Sequence, residues 1–172
     1  MTIAKRNTIV VVMLISAFVA MLNQTILNTA LPAIISGLGI PETTAQWLIT
    51  GFMLVNGVMI PLTAFLMDRY STRGLYIFSM AAFLIGSLVA ALSPNFSILM
   101  VARVIQAIGA GILLPLMQFT VFTLFPVEKR GFAMGLTGIV AQSAPAIGPT
   151  LTGLLIDAFS WRMPFYVVAT IA

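Results

Sequence analysis

Five long apolar stretches, separated by short polar segments, constrain the fold of this chain more than any other feature. Each is close to or above the roughly 20 residues that an α-helix needs to cross a bilayer. Lipid offers no hydrogen-bonding partner to backbone groups, so each stretch is expected to be helical. The predicted spans are 8–30, 47–67, 75–92, 98–124 and 132–156, with an incomplete sixth over 163–172. We therefore predict an all-α membrane protein with five complete transmembrane helices and a truncated sixth, and we expect the chain to be part of a longer protein.

The composition excludes several classes of protein. Only 7% of the 172 residues are charged and 60% are hydrophobic, whereas a soluble domain carries about 25% charged residues. The chain has no histidine and no cysteine, so it lacks the usual nitrogen and sulfur ligands of a metal centre and the histidine of a Ser-His-Asp triad. We expect no cofactor, no bound metal and no enzymatic activity. The net charge of +4 is spread over single or paired basic residues, which does not indicate a nucleic-acid partner.

The basic residues between the spans predict the orientation in the membrane. Arg162 is alone on one side, and six basic residues lie on the other: Lys5, Arg6, Arg69, Arg73, Lys129 and Arg130. Loops rich in Lys and Arg stay in the cytoplasm, so the N-terminus is predicted to be cytoplasmic in a multi-pass protein of the plasma membrane. Trp47 and Trp161 fall at outer ends of spans, where tryptophan often lies at the lipid–water interface.

Polar side chains inside the first two spans have two interpretations. The first span carries Asn23, Gln24, Thr25 and Asn28, four polar residues within six positions. They either tie helices together through hydrogen bonds or line a water-accessible substrate cavity. The second span carries Asn56 near its middle, where a lone amide is more typical of a helix–helix contact, with the cavity as the alternative.

Arg103 lies inside the otherwise apolar fourth span. A charge at this depth is costly, and it either extends outward to the membrane surface or faces the interior of a helix bundle. Gln106 follows three residues later and shares the same helix face. Ala107 and Ala110 also lie near that face, so a neighbouring helix or a cavity can come close. We interpret Arg103 and Gln106 as a membrane-buried polar pair that faces inward.

The fifth span combines small residues with two prolines. Pro145 and Pro149 cannot donate backbone hydrogen bonds and are expected to bend the helix. Small side chains recur at spacings of three and four, which allows another helix to approach closely. They are Thr137, Ala141, Ala144, Gly148 and Thr152. The stripe is either a static packing face or the face of a helix that moves between states.

Five segments together resemble the major facilitator superfamily, and most of all its fourteen-helix drug:proton antiporters. They are "LNQTILNTALP" in the first span, "AFLMDRYSTR" after the second, "RVIQAIGAG" in the fourth, "APAIGPTLTG" in the fifth and "SWRMPF" before the sixth. The resemblance extends over essentially the whole chain. Two departures from the family pattern matter. Ala107 stands where glycine is usual in the fourth-helix motif, and Asn23 stands where related antiporters often have an acidic residue.

The resemblance implies the N-terminal six-helix half of a transporter, made of two inverted three-helix repeats, whose partner is an absent C-terminal half. It implies alternating access and proton-driven export of small amphipathic compounds. It assigns Asp68, Arg69 and Arg73 to a cytoplasmic gate and a functional role to Arg103. The antiporter-type helix is carried by Ala144, Pro145, Gly148, Pro149 and Gly153. The acid that carries the proton is Asp157, lies in the absent half, or does not exist. The alternatives are a facilitator or importer of another solute, and a truncated membrane protein that does not transport.

Overall fold

The computed structural model describes residues 3–172, with side chains from Arg6 onward. The side chain of Lys5, predicted to be cytoplasmic, lies outside the described residues. The described chain forms seven α-helices joined by short connections: α1 (Ile3–Leu38), α2 (Glu42–Ala45), α3 (Trp47–Arg69), α4 (Thr72–Leu92), α5 (Phe96–Leu124), α6 (Arg130–Ala158) and α7 (Met163–Ile171). A short 3₁₀ turn, Val127–Lys129, precedes α6.

Five helical regions are long and apolar enough to cross a membrane. They are Arg6–Leu38, Glu42–Arg69, Thr72–Leu92, Phe96–Leu124 and Val127–Ala158. The second of these combines α2 and α3, and the fifth combines the 3₁₀ turn and α6. The prediction of an all-helical protein with five spanning helices and a short sixth is therefore confirmed.

Helix α1 extends beyond the predicted end of the first span. That span was predicted to end before Pro32, but the helix continues to Leu38. A proline removes one backbone donor from a helix without removing the turns on either side. The helix ends instead at Gly39, whose φ of 61° is left-handed, and the Ile40 N–H bonds back to the Ile35 carbonyl at 3.3 Å. This is the usual glycine-dependent ending of an α-helix.

Side-chain caps define the starts of α4 and α5. The Ser71 Oγ accepts a hydrogen bond from the Gly74 backbone N–H at 3.2 Å. The Asn95 Oδ1 accepts one from the Ile98 backbone N–H at 3.0 Å. Such caps satisfy donors that the first turn of a helix leaves unpaired. They allow connections short enough to hold successive helices antiparallel.

The helix contacts show an internal repeat, in which three helices of the first part of the chain correspond to three of the second. Helix α5 packs against α3 and α4, whereas α1 packs against α6 and α7. Helices α1 and α5 contact each other in the middle of the bundle, and α4 contacts α7. Exchanging α1 with α5, α3 with α6 and α4 with α7 reproduces the same set of contacts. This is the pattern expected of two three-helix repeats.

Two glycines bring the paired helices close together. A Cβ atom on Gly109 of α5 would lie 2.5 Å from the Ser79 carbonyl oxygen and 2.9 Å from the Phe83 nitrogen of α4. A Cβ atom on Gly148 of α6 would collide with the Thr25 hydroxyl of α1. The small residues at these positions therefore set the distance between α4 and α5 and between α1 and α6.

The prediction that Trp161 anchors the protein at the interface is wrong, while Trp47 is 56% exposed, as an anchor requires. Trp161 is only 7% exposed, because its indole packs beside Gly37 of α1 and edge-on to Phe165 of α7. The next residue, Arg162, stacks on that indole at 4.3 Å and donates a hydrogen bond to the Ser93 carbonyl at 2.9 Å. The segment before α7 is thus tied to the ends of α1 and α4.

Candidate transport site

Arg103 is buried among the helices of the bundle. Its side chain is only 1% exposed, so it does not extend to the membrane surface. Its Nη1 donates a hydrogen bond to Gln106 Oε1 at 2.8 Å. The guanidinium carbon also lies 4.2 Å from the ring centre of Phe52 on α3. A cation over an aromatic face gains a favourable interaction that is strongest away from water.

Gln106 connects three helices. Its Nε2 donates to Ser87 Oγ of α4 at 2.9 Å and lies 3.5 Å from Asn23 Oδ1 of α1, at the outer limit of a hydrogen bond. Its side chain fits because α4 carries Gly86 here, where a Cβ atom would lie 2.6 Å from the Gln106 Cγ. Arg103, Gln106, Ser87, Asn23 and Phe52 are called the buried arginine network below.

The network contains a charge but no carboxylate. The acidic residues of the chain are all exposed near helix ends: Glu42, Asp68, Glu128 and Asp157. Two buried donors, Arg103 Nε and Asn23 Nδ2, have no hydrogen-bond partner among the described residues. Burying a charge at membrane depth costs about 2.5–3.5 kcal/mol on insertion scales. A cluster that keeps this charge while leaving donors unpaired is more typical of a functional site than of a packing contact.

The structure separates the polar residues of the first span that were grouped as one cavity. Asn23 is fully buried in the network, whereas Asn28 is exposed and Gln24 is half-buried. The Thr25 hydroxyl donates to the Leu22 carbonyl at 2.8 Å and lies against α6. Helical geometry explains the division, because successive residues point about 100° apart around the axis.

Asn56 of α3 lies against α5. Its Oδ1 is buried and has no hydrogen-bond partner in the part of the chain that the structure describes. A Cβ atom on Gly111 would lie 2.8 Å from this oxygen. The residue as a whole is half-buried. Asn56 thus contacts a neighbouring helix and also contributes to the surface of α3.

The antiporter-type residues of α6 lie on two faces. Ala144 and Gly148 are buried against the rest of the bundle, whereas Pro145 and Pro149 are exposed. A Cβ atom on Gly153 would meet no atom within 4 Å. One face of α6 therefore packs on α1, and the face with the prolines is open.

The three residues assigned to the gate lie around the two-residue connection between α3 and α4. Asp68, Arg69 and Arg73 are all exposed. The Arg69 guanidinium lies 4.5 Å from the ring centre of Phe65. Arg73 lines a cavity of about 470 Å³ with Tyr76 and residues of α1 and α5. Within the described part of the chain, no ion pair joins these three residues to each other or to another group.

Comparison with known proteins identifies the family. The profile of the Major Facilitator Superfamily matches residues 13–172. The chain belongs to the major facilitator superfamily. The resemblance inferred from its motifs is confirmed, and a family of membrane transporters accounts for the spanning helices.

Curated relatives are similar to this major facilitator chain over nearly its whole length. The uncharacterised MFS-type transporter YcnB of Bacillus subtilis is 53% identical over 97% of this chain, which covers 35% of YcnB. The lincomycin resistance protein LmrB of the same organism is 41% identical over 92% of this chain and 33% of LmrB. The chain thus spans about a third of the length of the relatives it matches.

A solved structure shows the same fold. The crystal structure of the peptide transporter POT superposes with a TM-score of 0.76 over 92% of this chain and 35% of that chain, at 15% identity. At this identity the likeness concerns the fold alone. It agrees with the exchange of helix contacts described above.

Two residues of the buried arginine network, Phe52 and Ser87, are not predicted from the sequence. Phe52 belongs to an apolar span. Its sequence neighbours do not distinguish this buried phenylalanine from the exposed phenylalanines of the other spans. Ser87 is a common small residue whose hydroxyl usually bonds to its own helix, as it also does here to the Phe83 carbonyl at 2.8 Å.

Proposed function

We propose that residues 1–172 form the N-terminal half of a secondary transporter that exports small amphipathic compounds by alternating access. The observation that carries the proposal is similarity over 92% of the chain to a lincomycin resistance protein of the same superfamily. The fold supports it, because α3 and α6 leave most of their surface open, with 22% and 17% of their spanning windows buried, compared with 56% for α1 and α5. A C-terminal half packed on α3 and α6 would enclose a central pathway.

The proposed transporter lies in the plasma membrane, and the charge distribution supports a cytoplasmic N-terminus. One cavity is lined by Arg73 together with residues at the start of α1 and the end of α5. Another is lined by Arg6 and Lys129. These contacts bring the basic residues to the same end of the bundle, which the positive-inside rule assigns to the cytoplasm.

We propose that Asp68, Arg69 and Arg73 belong to a cytoplasmic gate. All three are exposed, and within residues 6–172 they form no ion pair. Charged groups left open at one end of a half-transporter suit contacts that form with the second half in one state and break in the other. The partners of the gate would then lie on the C-terminal half.

The proposed export is driven by protons, and the acid that carries them is not part of the buried arginine network. Asn23, at the centre of the network, is an amide that does not ionise. Asp157 lies in the last turn of α6 and is exposed, so it remains one candidate, and an acid of the second half is the other. If neither carries a proton, the protein is a facilitator.

Drug accumulation in cells tests the proposal. The complete reading frame that contains residues 1–172, called the full-length transporter below, would be expressed in an efflux-deficient bacterium. We expect several-fold lower accumulation of lincomycin or of other amphipathic drugs than in cells with an empty vector. Unchanged accumulation across the panel, with the protein present in the membrane fraction, would contradict export.

A further inference from the structure

Among the described residues, the charge buried within the spanning helices is positive. Arg103 is the one charged side chain that is buried within the described residues, at 1% exposure. Its contacts are an amide and an aromatic ring, neither of which cancels its charge. All acidic residues lie near helix ends and are exposed, where water and salt screen them. The interior of this half is therefore electropositive.

The charge is linked through Gln106 to α1, whose other, more accessible face also carries polar residues. Gln106 links Arg103 to Asn23, and the residues that follow Asn23 include the half-buried Gln24 and the exposed Asn28. A substrate on that face would be separated from the guanidinium by about one helix diameter, roughly 10 Å. At an effective dielectric constant of about 20, a unit charge at that distance changes the binding constant of a singly charged substrate by about tenfold.

We infer that Arg103 makes the transporter prefer anionic amphipathic substrates over cationic ones. The inference rests on the proposed function and specifies its substrate class. Arg103 does not need to touch the substrate, because a buried charge acts through a medium that screens it weakly. Phe52 and Gln106 hold the guanidinium in place, and Ser87 holds Gln106, so the position of the charge in the bundle is fixed.

Three compounds with the same alkyl chain separate charge from hydrophobicity: dodecanoate, dodecyl maltoside and dodecyltrimethylammonium. Their transport by the full-length transporter would be measured in everted membrane vesicles. Arg103→Gln removes the charge. Asn23→Asp keeps Arg103 and places a carboxylate beside Gln106, which cancels the charge. Asn23→Leu removes the amide without adding a charge and is the matched control.

The expected result is that the wild type transports the anion at least about tenfold better than the cation. Arg103→Gln and Asn23→Asp reduce this ratio severalfold, and Asn23→Leu preserves it. If Arg103→Gln does not insert, Asn23→Asp still tests the inference. A wild type that transports the cation as well as the anion overturns it. So does an equal slowing of all three compounds by both Arg103→Gln and Asn23→Asp. Transport of none of the compounds by the wild type contradicts the proposed function, and the inference with it.

Discussion

At the scale of single residues, the cost of burying Arg103 is the fact to be explained. The chain offsets part of this cost with a hydrogen bond to Gln106 and the ring of Phe52, yet leaves Arg103 Nε unpaired. An apolar residue would pack here without that cost. A residue needed only for stability would not have to be charged, so we propose that the network has a role in transport.

Arg103→Leu is expected to reduce export by the full-length transporter at least about tenfold while membrane insertion stays normal, since a leucine costs less to insert. Arg103→Lys is also expected to be impaired, because an ammonium lacks the planar fork that bonds Gln106 while lying over Phe52. Drug efflux at matched membrane levels is the measurement. Val101→Ala, at an exposed position of the same helix, is the control. Near wild-type export by Arg103→Leu would show that the charge is dispensable.

Asp68→Asn is expected to abolish or strongly reduce export without changing the amount of protein in the membrane. The substitution keeps the size of the side chain and removes the charge that the proposed gate uses. Acidic residues contribute little to topology, so the orientation is expected to stay the same. Efflux assays with Glu128→Gln as the control check this prediction. Full export by Asp68→Asn at equal expression would remove this residue from the gate.

At the scale of helices, glycines decide how closely α4 and α5 approach. Gly109 lies against backbone atoms of α4, which cannot rotate away as a side chain can. Gly138 of α6, by contrast, faces open space. Glycine is therefore required for helix packing at position 109, whereas at position 138 it makes no packing contact with the described residues.

Gly109→Ala is expected to destabilise the bundle by about 1–3 kcal/mol, the usual cost of overpacking a tight contact. Gly138→Ala is expected to be neutral or slightly stabilising, because alanine favours the helix. Thermal unfolding in detergent, followed by size-exclusion chromatography, measures the difference. Equal midpoints for the two variants would mean that α4 and α5 are less closely packed than described.

The helices were predictable from the sequence, but the pairing of their side chains was only partly so. Runs of apolar residues indicated each span, because lipid requires continuous helix. The observed end of α1 differs from the predicted one, because the helix continues through Pro32 and ends at Gly39. The inward direction of Arg103 could be inferred from Gln106, three residues away on the same helix. The contacts of Phe52 and Ser87 and the burial of Trp161 could not be inferred from the sequence, because they depend on which helices pack against each other.

At the scale of the whole molecule, the two repeats pack as equivalent units around α1 and α5. Their equivalence leaves α3 and α6 in matching positions with open faces. The described chain accounts for about a third of the length of its relatives. We interpret the open faces as the surface on which a C-terminal half packs.

Single cysteines test the predicted orientation, because the chain has none of its own. Thr43 of the short helix α2 and Ser71 of the α3–α4 connection are exposed and lie at opposite ends of α3. In intact cells, an impermeant maleimide is expected to label Thr43→Cys and not Ser71→Cys. The reverse pattern would place the N-terminus outside.

Solute accumulation in proteoliposomes tests the central claim most directly. The full-length transporter would be reconstituted and a pH gradient imposed, with uptake of an amphipathic drug followed over time. Proton-driven export predicts accumulation above the external concentration, which is lost when an ionophore removes the gradient. Uptake that stops at equal concentrations, with or without the gradient, would contradict the claim.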